Sequence, residues 1–141
     1  MDKTNLLLYG LAGIAAVLCG AWLVQQHQPI PDYKPVSVFT EEPYTFEVKM
    51  NTDHAVVLKP NGFTVEIRQA DQRPVSGAAI DITLSMPDMF CGTSTVKASE
   101  VAPGIYHGDG IPLMAGASTA DVKVSLNGHT YSMQHPFWAA R

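Results

Sequence analysis

The chain is poor in charge. Only 16% of its 141 residues are Asp, Glu, Lys or Arg, against about 25% in an average soluble protein. Nine Lys and Arg against thirteen Asp and Glu give a net charge of −4. No basic cluster exists to displace counterions from a nucleic acid, which excludes that partner. Cysteine is scarce as well, with only Cys19 and Cys91. There is no Cys-x-x-Cys, no His-Glu-x-x-His, no Gly-x-Ser-x-Gly and no phosphate loop. Zinc, thiol-redox, serine-hydrolase and nucleotide sites of those kinds therefore lack their residues. No acid–base or nucleophile pair assembles from spacing, so an enzyme is not expected. The ten prolines and eleven glycines form no repeat, which excludes collagen-like and solenoid architectures.

Long uncharged runs are present once. Residues 5–24, NLLLYGLAGIAAVLCGAWLV, carry no charge. As a helix rising 1.5 Å per residue they would extend ~30 Å, the thickness of a bilayer hydrocarbon core. Tyr9 and Trp22 lie towards the two ends, where amphipathic rings favour the interface. We expect a retained transmembrane helix that contacts the bilayer through residues 5–24. A cleaved signal peptide has a shorter apolar stretch of ~7–15 residues. A lipidated Cys19 is disfavoured by the bulky Leu18 before it. Lys3 and the terminal amine favour a cytoplasmic end at residues 1–4. The expected location is therefore the inner (cytoplasmic) membrane, single-pass, with the following domain facing the periplasm or exterior. Residues 25–35, with Pro29, Pro31 and Pro35, read as a semi-rigid spacer.

Residues 36–141 hold no helical periodicity longer than two turns. Phe63, Val65 and Ile67 alternate with polar residues, as do Ile80, Ile82, Leu84 and Met86, and Val122, Val124 and Leu126. Period two with one apolar face predicts half-buried strands. Tyr44–Met50, Ala55–Leu58, Thr95–Val101, Gly104–His107 and Thr130–Phe137 are weaker strand candidates. Asn127-Gly128 predicts a two-residue hairpin. Seven or eight short strands in ~100 residues predict an all-β, immunoglobulin-like antiparallel β-sandwich, preceded by the one N-terminal transmembrane helix.

The chemistry concentrates in sulfur. Met86, Met89 and Cys91 fall within six residues at the end of a predicted strand, where Pro87 and Gly92 mark a loop. Thioether and thiolate are soft ligands that select Cu(I). Met86 also continues the inward face of Ile80, Ile82 and Leu84, so packing is its other reading. Cys91 is an odd thiol in an oxidising compartment. It reads as a metal ligand, a buried thiol or an intermolecular disulfide partner. Downstream lie His107, Met114, and the pair Met133 and His135. Positions i and i+2 of a strand share a face, and Tyr131 and Phe137 share this one, so it reads either as a core face or as a ligand pair. A blue-copper site is disfavoured, because no His lies within ten residues of Cys91.

Several of these segments have a familiar arrangement. Arg73-Pro74-Val75-Ser76-Gly77-Ala78-Ala79-Ile80 opens a strand. Ile82-Thr83-Leu84-Ser85-Met86-Pro87-Asp88-Met89 follows, then Gly104-Ile105-Tyr106, Leu113-Met114-Ala115-Gly116 and Ala120–Leu126. From Phe63 to Phe137 the chain resembles the YtkA-like/FixH-like group of membrane-anchored, extracytoplasmic β-sandwich domains, and the anchor fits it too. The resemblance implies an immunoglobulin-like fold and a link to copper handling or respiratory oxidase assembly. Its methionines would map to Met86, Met89 and Met114. Ala117 stands where a Trp commonly follows the glycine, and Cys91 is an addition to the pattern.

The expected function is a membrane-tethered Cu(I)-binding protein that serves a copper acceptor or membrane metalloenzyme. Its site would draw on Cys91, Met89, Met86, His135, Met133, His107 and Met114. The alternative is an accessory or assembly subunit of a membrane complex, docking through its anchor and a sandwich face. A Cys91-linked homodimer is a third arrangement.

Overall fold

The computed structural model describes residues 33–90 and 92–141. The expected cytoplasmic end, the membrane span 5–24, the spacer up to residue 32, and Cys91 lie outside the described residues. Among those described, no helix is long and apolar enough to cross a membrane. They form nine strands: β1 (Val36–Glu41), β2 (Tyr44–Met50), β3 (Ala55–Val56), β4 (Asn61–Gln69), β5 (Ala79–Ser85), β6 (Ser94–Ala102), β7 (Ile105–Gly110), β8 (Gly116–Leu126) and β9 (His129–Ala140).

The three strongest alternations in the sequence become β4, β5 and β8, and each buries its apolar positions. The weaker ones become β2, β3, β6, β7 and β9. The Asn127-Gly128 hairpin joins β8 to β9, with φ of 51° and 78° at its two central residues. Positive φ at both is what a type I′ turn requires, and Asn-Gly supplies it at least cost.

The strand order is β1-β2-β4-β7-β6-β5-β8-β9-β3. β6 belongs to both layers. Its first half pairs with β5 through Ala98 and its second half with β7 from Ser99, and a bulge between Glu100 and Ala102 interrupts the pairing with β7. With the edge strands β1 and β3 set aside, β2-β4-β7-β6 faces β5-β8-β9. In chain order this is the first, second, fifth and fourth strand against the third, sixth and seventh. That is the arrangement of a constant-type immunoglobulin sandwich.

The core fills the space between the layers. Phe46, Phe63, Val65 and Ile67 come from one sheet; Ile80, Ile82, Val122, Val124 and Phe137 come from the other. Phe63 meets Phe137 edge-on at 5.4 Å, and Phe46 meets Tyr131 at 5.0 Å. Each such side chain contributes about 1.5–3 kcal/mol by burial.

The register fixes what gathers at each end. At one end lie the start of β1, the end of β2, the start of β4, the end of β5, the start of β8 and the end of β9. The loops 51–60, 86–93 and 111–115 therefore sit together. At the opposite end lie the turn 42–43, the loop 70–78, the turn 103–104 and the Asn127-Gly128 hairpin.

Candidate functional site

β5 runs inward-facing through Ile80, Ile82 and Leu84 and ends at Ser85. Met86 is the next inward position, just past the last paired residue. It is half-buried rather than sealed in the core. Across from it, the loop between β7 and β8 carries Leu113 and Met114, the latter 41% exposed. Met86 and Met114 line one hollow, with Leu84, Leu113 and Phe137 as further walls. Its enclosed space is about 10 Å³, room for about one water molecule and far below the ~300–1,000 Å³ of an organic-ligand pocket.

Gly116 lies against Met86 where the 111–115 loop enters β8. Its φ is 132°, and a Cβ there would lie 3.0 Å from the Met86 Cε. Glycine is the residue that takes this backbone conformation at least cost.

The remaining expected ligands divide as follows. Met89 stands on the 86–93 loop, 49% exposed, with its amide donating to the Met86 carbonyl at 3.3 Å. Cys91 lies outside the described residues. Gly92, its neighbour in sequence, also lines the hollow. Met133 and His135 are not brought to the sulfurs. They lie on the buried face of β9, opposite Val122 and Ala120, whereas Phe137 is the β9 residue at the hollow. At ~3.4 Å per residue, His135 is displaced ~7 Å along the strand from Phe137 and Met133 ~14 Å. His135 is 1% exposed, and its Nδ1 shares a 2.8 Å hydrogen bond with the Ser37 hydroxyl of β1. Burial holds its pKa below the ordinary value. It is a satisfied core histidine that ties β1 to β9. His107 lies on the outer face of the opposite sheet, 3.4 Å from Thr64 Oγ1 and 3.3 Å from the Asp109 carboxylate. Among the described residues no three His, Cys, Asp or Glu side chains converge as a metal-binding group.

The other two familiar segments meet at the opposite end. Gly104 has φ 73°, and a Cβ there would come within 2.9 Å of the Ile67 carbonyl and the Val75 amide. Tyr106 donates its hydroxyl proton to the Val75 carbonyl at 2.9 Å and accepts from the Ala78 amide at 3.1 Å. Burial pushes this phenol's pKa up, which keeps it protonated as a donor. The Glu100 carboxylate accepts from the amides of Gly104 and Gly77. Its pKa is lowered by the Ser76 hydroxyl and by those two amides. The segments 73–80 and 104–106 are thus parts of one structural clamp.

Sequence reasoning did not single out Leu58, Phe90 and Leu113, which surround the methionines as exposed apolar residues. Their signal was available, since each stands in a loop marked by Pro or Gly, where an apolar side chain has no inward face to occupy.

No family model matches the chain, and no curated protein matches it. Among solved structures, the fold is similar to part of a DUF4785 family protein from Legionella pneumophila. The TM-score is 0.53 at 11% identity, over 70% of this chain and 29% of that one. This chain therefore spans less than a third of the Legionella protein, and at that identity the likeness is one of fold. The Lin-41 filamin domain aligns over 80% of this chain and 99% of its own length, with a TM-score of 0.48 and 17% identity.

Proposed function

We propose that this chain is a membrane-tethered, extracytoplasmic protein that binds Cu(I) and exchanges it with a membrane-bound acceptor. It acts as a carrier, with no reaction of its own. The observation that carries this reading is that Met86 and Met114, from two separate loops, line the same small hollow. Thioethers bind soft monovalent copper and have little affinity for the harder divalent ions. Cys91, next in sequence to a residue of that hollow, is the third sulfur of the proposed set, and Met89 is the exposed sulfur from which an ion would be passed. The uncharged run 5–24 supplies the tether, and the resemblance of residues 63–137 to YtkA-like/FixH-like domains supports the same reading.

The test is Cu(I) titration of the detergent-solubilised chain against a competing chelator. One ion per chain is expected. The paired substitution Met86→Leu, Met114→Leu should weaken binding by roughly tenfold or more, a loss of the size seen when a metal's supporting groups are removed. His135→Gln and Met133→Leu should leave it unchanged. Equal affinity in the wild type and the paired Leu variant would overturn the proposal. Cys91→Ser decides separately whether that thiol belongs to the set.

A second reading, an accessory subunit of a membrane complex, is favoured by the exposed apolar residues around the hollow. It requires those residues to be covered by another protein.

A further inference from the structure

Large apolar side chains are not scattered evenly over this surface. Leu58 (71% exposed), Met89 (49%), Phe90 (109%), Leu113 (43%) and Met114 (41%) stand on the three loops of a single end. The Leu58 amide donates to the Pro112 carbonyl at 2.9 Å, which joins two of those loops. The opposite end shows solvent Asp71, Gln72, Arg73 and Ser76, and one exposed apolar side chain, Val101 at the β6 bulge. An apolar end on a soluble domain calls for a partner.

The path of the chain says which partner. The described chain enters at the apolar end. Tyr33 stacks on Trp138 near the end of β9, and the Met50 amide donates to the Pro35 carbonyl. Eight residues, 25–32, separate Tyr33 from Val24, the last residue of the uncharged run. Fully extended they reach about 30 Å. β9, with 12 residues, spans about 40 Å of the sandwich. If residues 5–24 span a bilayer, that reach is shorter than the sandwich and keeps the entry end, which carries the apolar loops, near the lipid. The charges nearby are of both signs, with Lys59 and Arg141 against Asp53 and Asp88. The attraction is therefore apolar and independent of anionic headgroups.

From this we infer that the 51–60, 86–93 and 111–115 loops seat the domain on the bilayer surface, with Leu58 and Phe90 buried among the lipid headgroups. The inference rests on the reading of residues 5–24 as a membrane span. It places the Met86–Met114 hollow at the membrane surface, where an acceptor embedded in the bilayer would present its own site.

The experiment uses the full chain, with Cys19→Ser and Cys91→Ser, in phosphatidylcholine liposomes. An environment-sensitive fluorophore is attached singly at Leu58→Cys, Phe90→Cys or, at the far end, Asn127→Cys. Doxyl-labelled lipid and aqueous iodide serve as the two quenchers. The expected result is blue-shifted emission at 58 and 90, with lipid quenching about twofold or more stronger than at 127, as for groups ~5–10 Å into the headgroup boundary. Two positions are used so that misfolding of one variant does not decide the matter. Alkaline carbonate extraction runs in parallel. Retention in the membrane with 58 and 90 open to iodide would overturn the docking and leave the span standing. Retention with 58 and 90 shielded from both quenchers would mean that another copy of the chain covers them, and would also overturn it. Release by carbonate would overturn the span and the docking together.

Discussion

At one end of the sandwich the Tyr106 hydroxyl bridges the Val75 carbonyl and the Ala78 amide, and the Glu100 carboxylate gathers the amides of Gly77 and Gly104. At the other end Leu58, Phe90 and Met114 stand in solvent, and Met86 and Met114 border a hollow walled mostly by apolar side chains. Both ends face the same task, which is to cover the exposed edges of two sheets. The first does it by satisfying every turn amide within reach, so its geometry has little freedom. The second leaves apolar and sulfur side chains without a partner of their own. Loops that bind and exchange are drawn from such weakly held parts of a fold. On the proposed reading, stability falls to the clamp end and exchange to the sulfur end.

The largest break in this contrast comes from Gly104→Ala. The left-handed conformation costs a Cβ-bearing residue about 1–2 kcal/mol, and pressing that Cβ onto the Ile67 and Val75 backbone adds about 1–3 kcal/mol. The expected fall in melting temperature is about 10 °C or more, measured by circular dichroism of the solubilised chain. Cu(I) affinity of the molecules still folded should not change. If affinity falls in step with stability, the two ends are not independent.

How far the sequence alone reaches also differs between regions. β4, β5 and β8 are legible because their apolar positions alternate and their inward faces are uniformly apolar. β1 is not legible, and the reason is physical. In Val36-Ser37-Val38-Phe39 the valines Val36 and Val38 face solvent, and Ser37 turns in to meet His135. An apolar count along that edge strand selects the wrong face. His135 was ambiguous for the matching reason, since its hydrogen-bond partner is 98 residues away. Met86 and Met114 were each legible as soft donors. That they line one hollow was not, because this depends on the pairing of β5 with β8 and on the path of the loop that leads into β8.

His135 sharpens the comparison from the middle of the molecule. Its folded pKa is depressed by burial, whereas the unfolded side chain takes up a proton as the pH falls through about 6.5. The unfolded state then binds the extra proton, so stability is full above pH ~6.5. It is lost as the pH falls from there towards the lowered folded value, at up to about 1.4 kcal/mol per pH unit. The lowered carboxylates, Asp71 and Glu100, act only in a more acidic window. Unfolding of wild type between pH 7.5 and 5.5 should show this slope, and His135→Gln, which keeps a partner for Ser37, should flatten it. An equal slope in the variant would assign the pH dependence elsewhere.

The smallest expected effect belongs to the sulfur end. Leu58 and Phe90 are so exposed that folding buries little of either, and surface substitutions away from packed features stay within about 0.5 kcal/mol. The paired substitution Leu58→Ser, Phe90→Ser should therefore leave the unfolding midpoint of the solubilised chain in urea almost unmoved, while Gly104→Ala shifts it strongly. A large loss of stability in the paired variant would show that these side chains pack onto the domain itself. Neither the bilayer nor any other partner would then be needed to account for them. An unmoved midpoint keeps the division intact, because two large apolar groups that contribute nothing to folding must be accounted for by what they meet outside the domain.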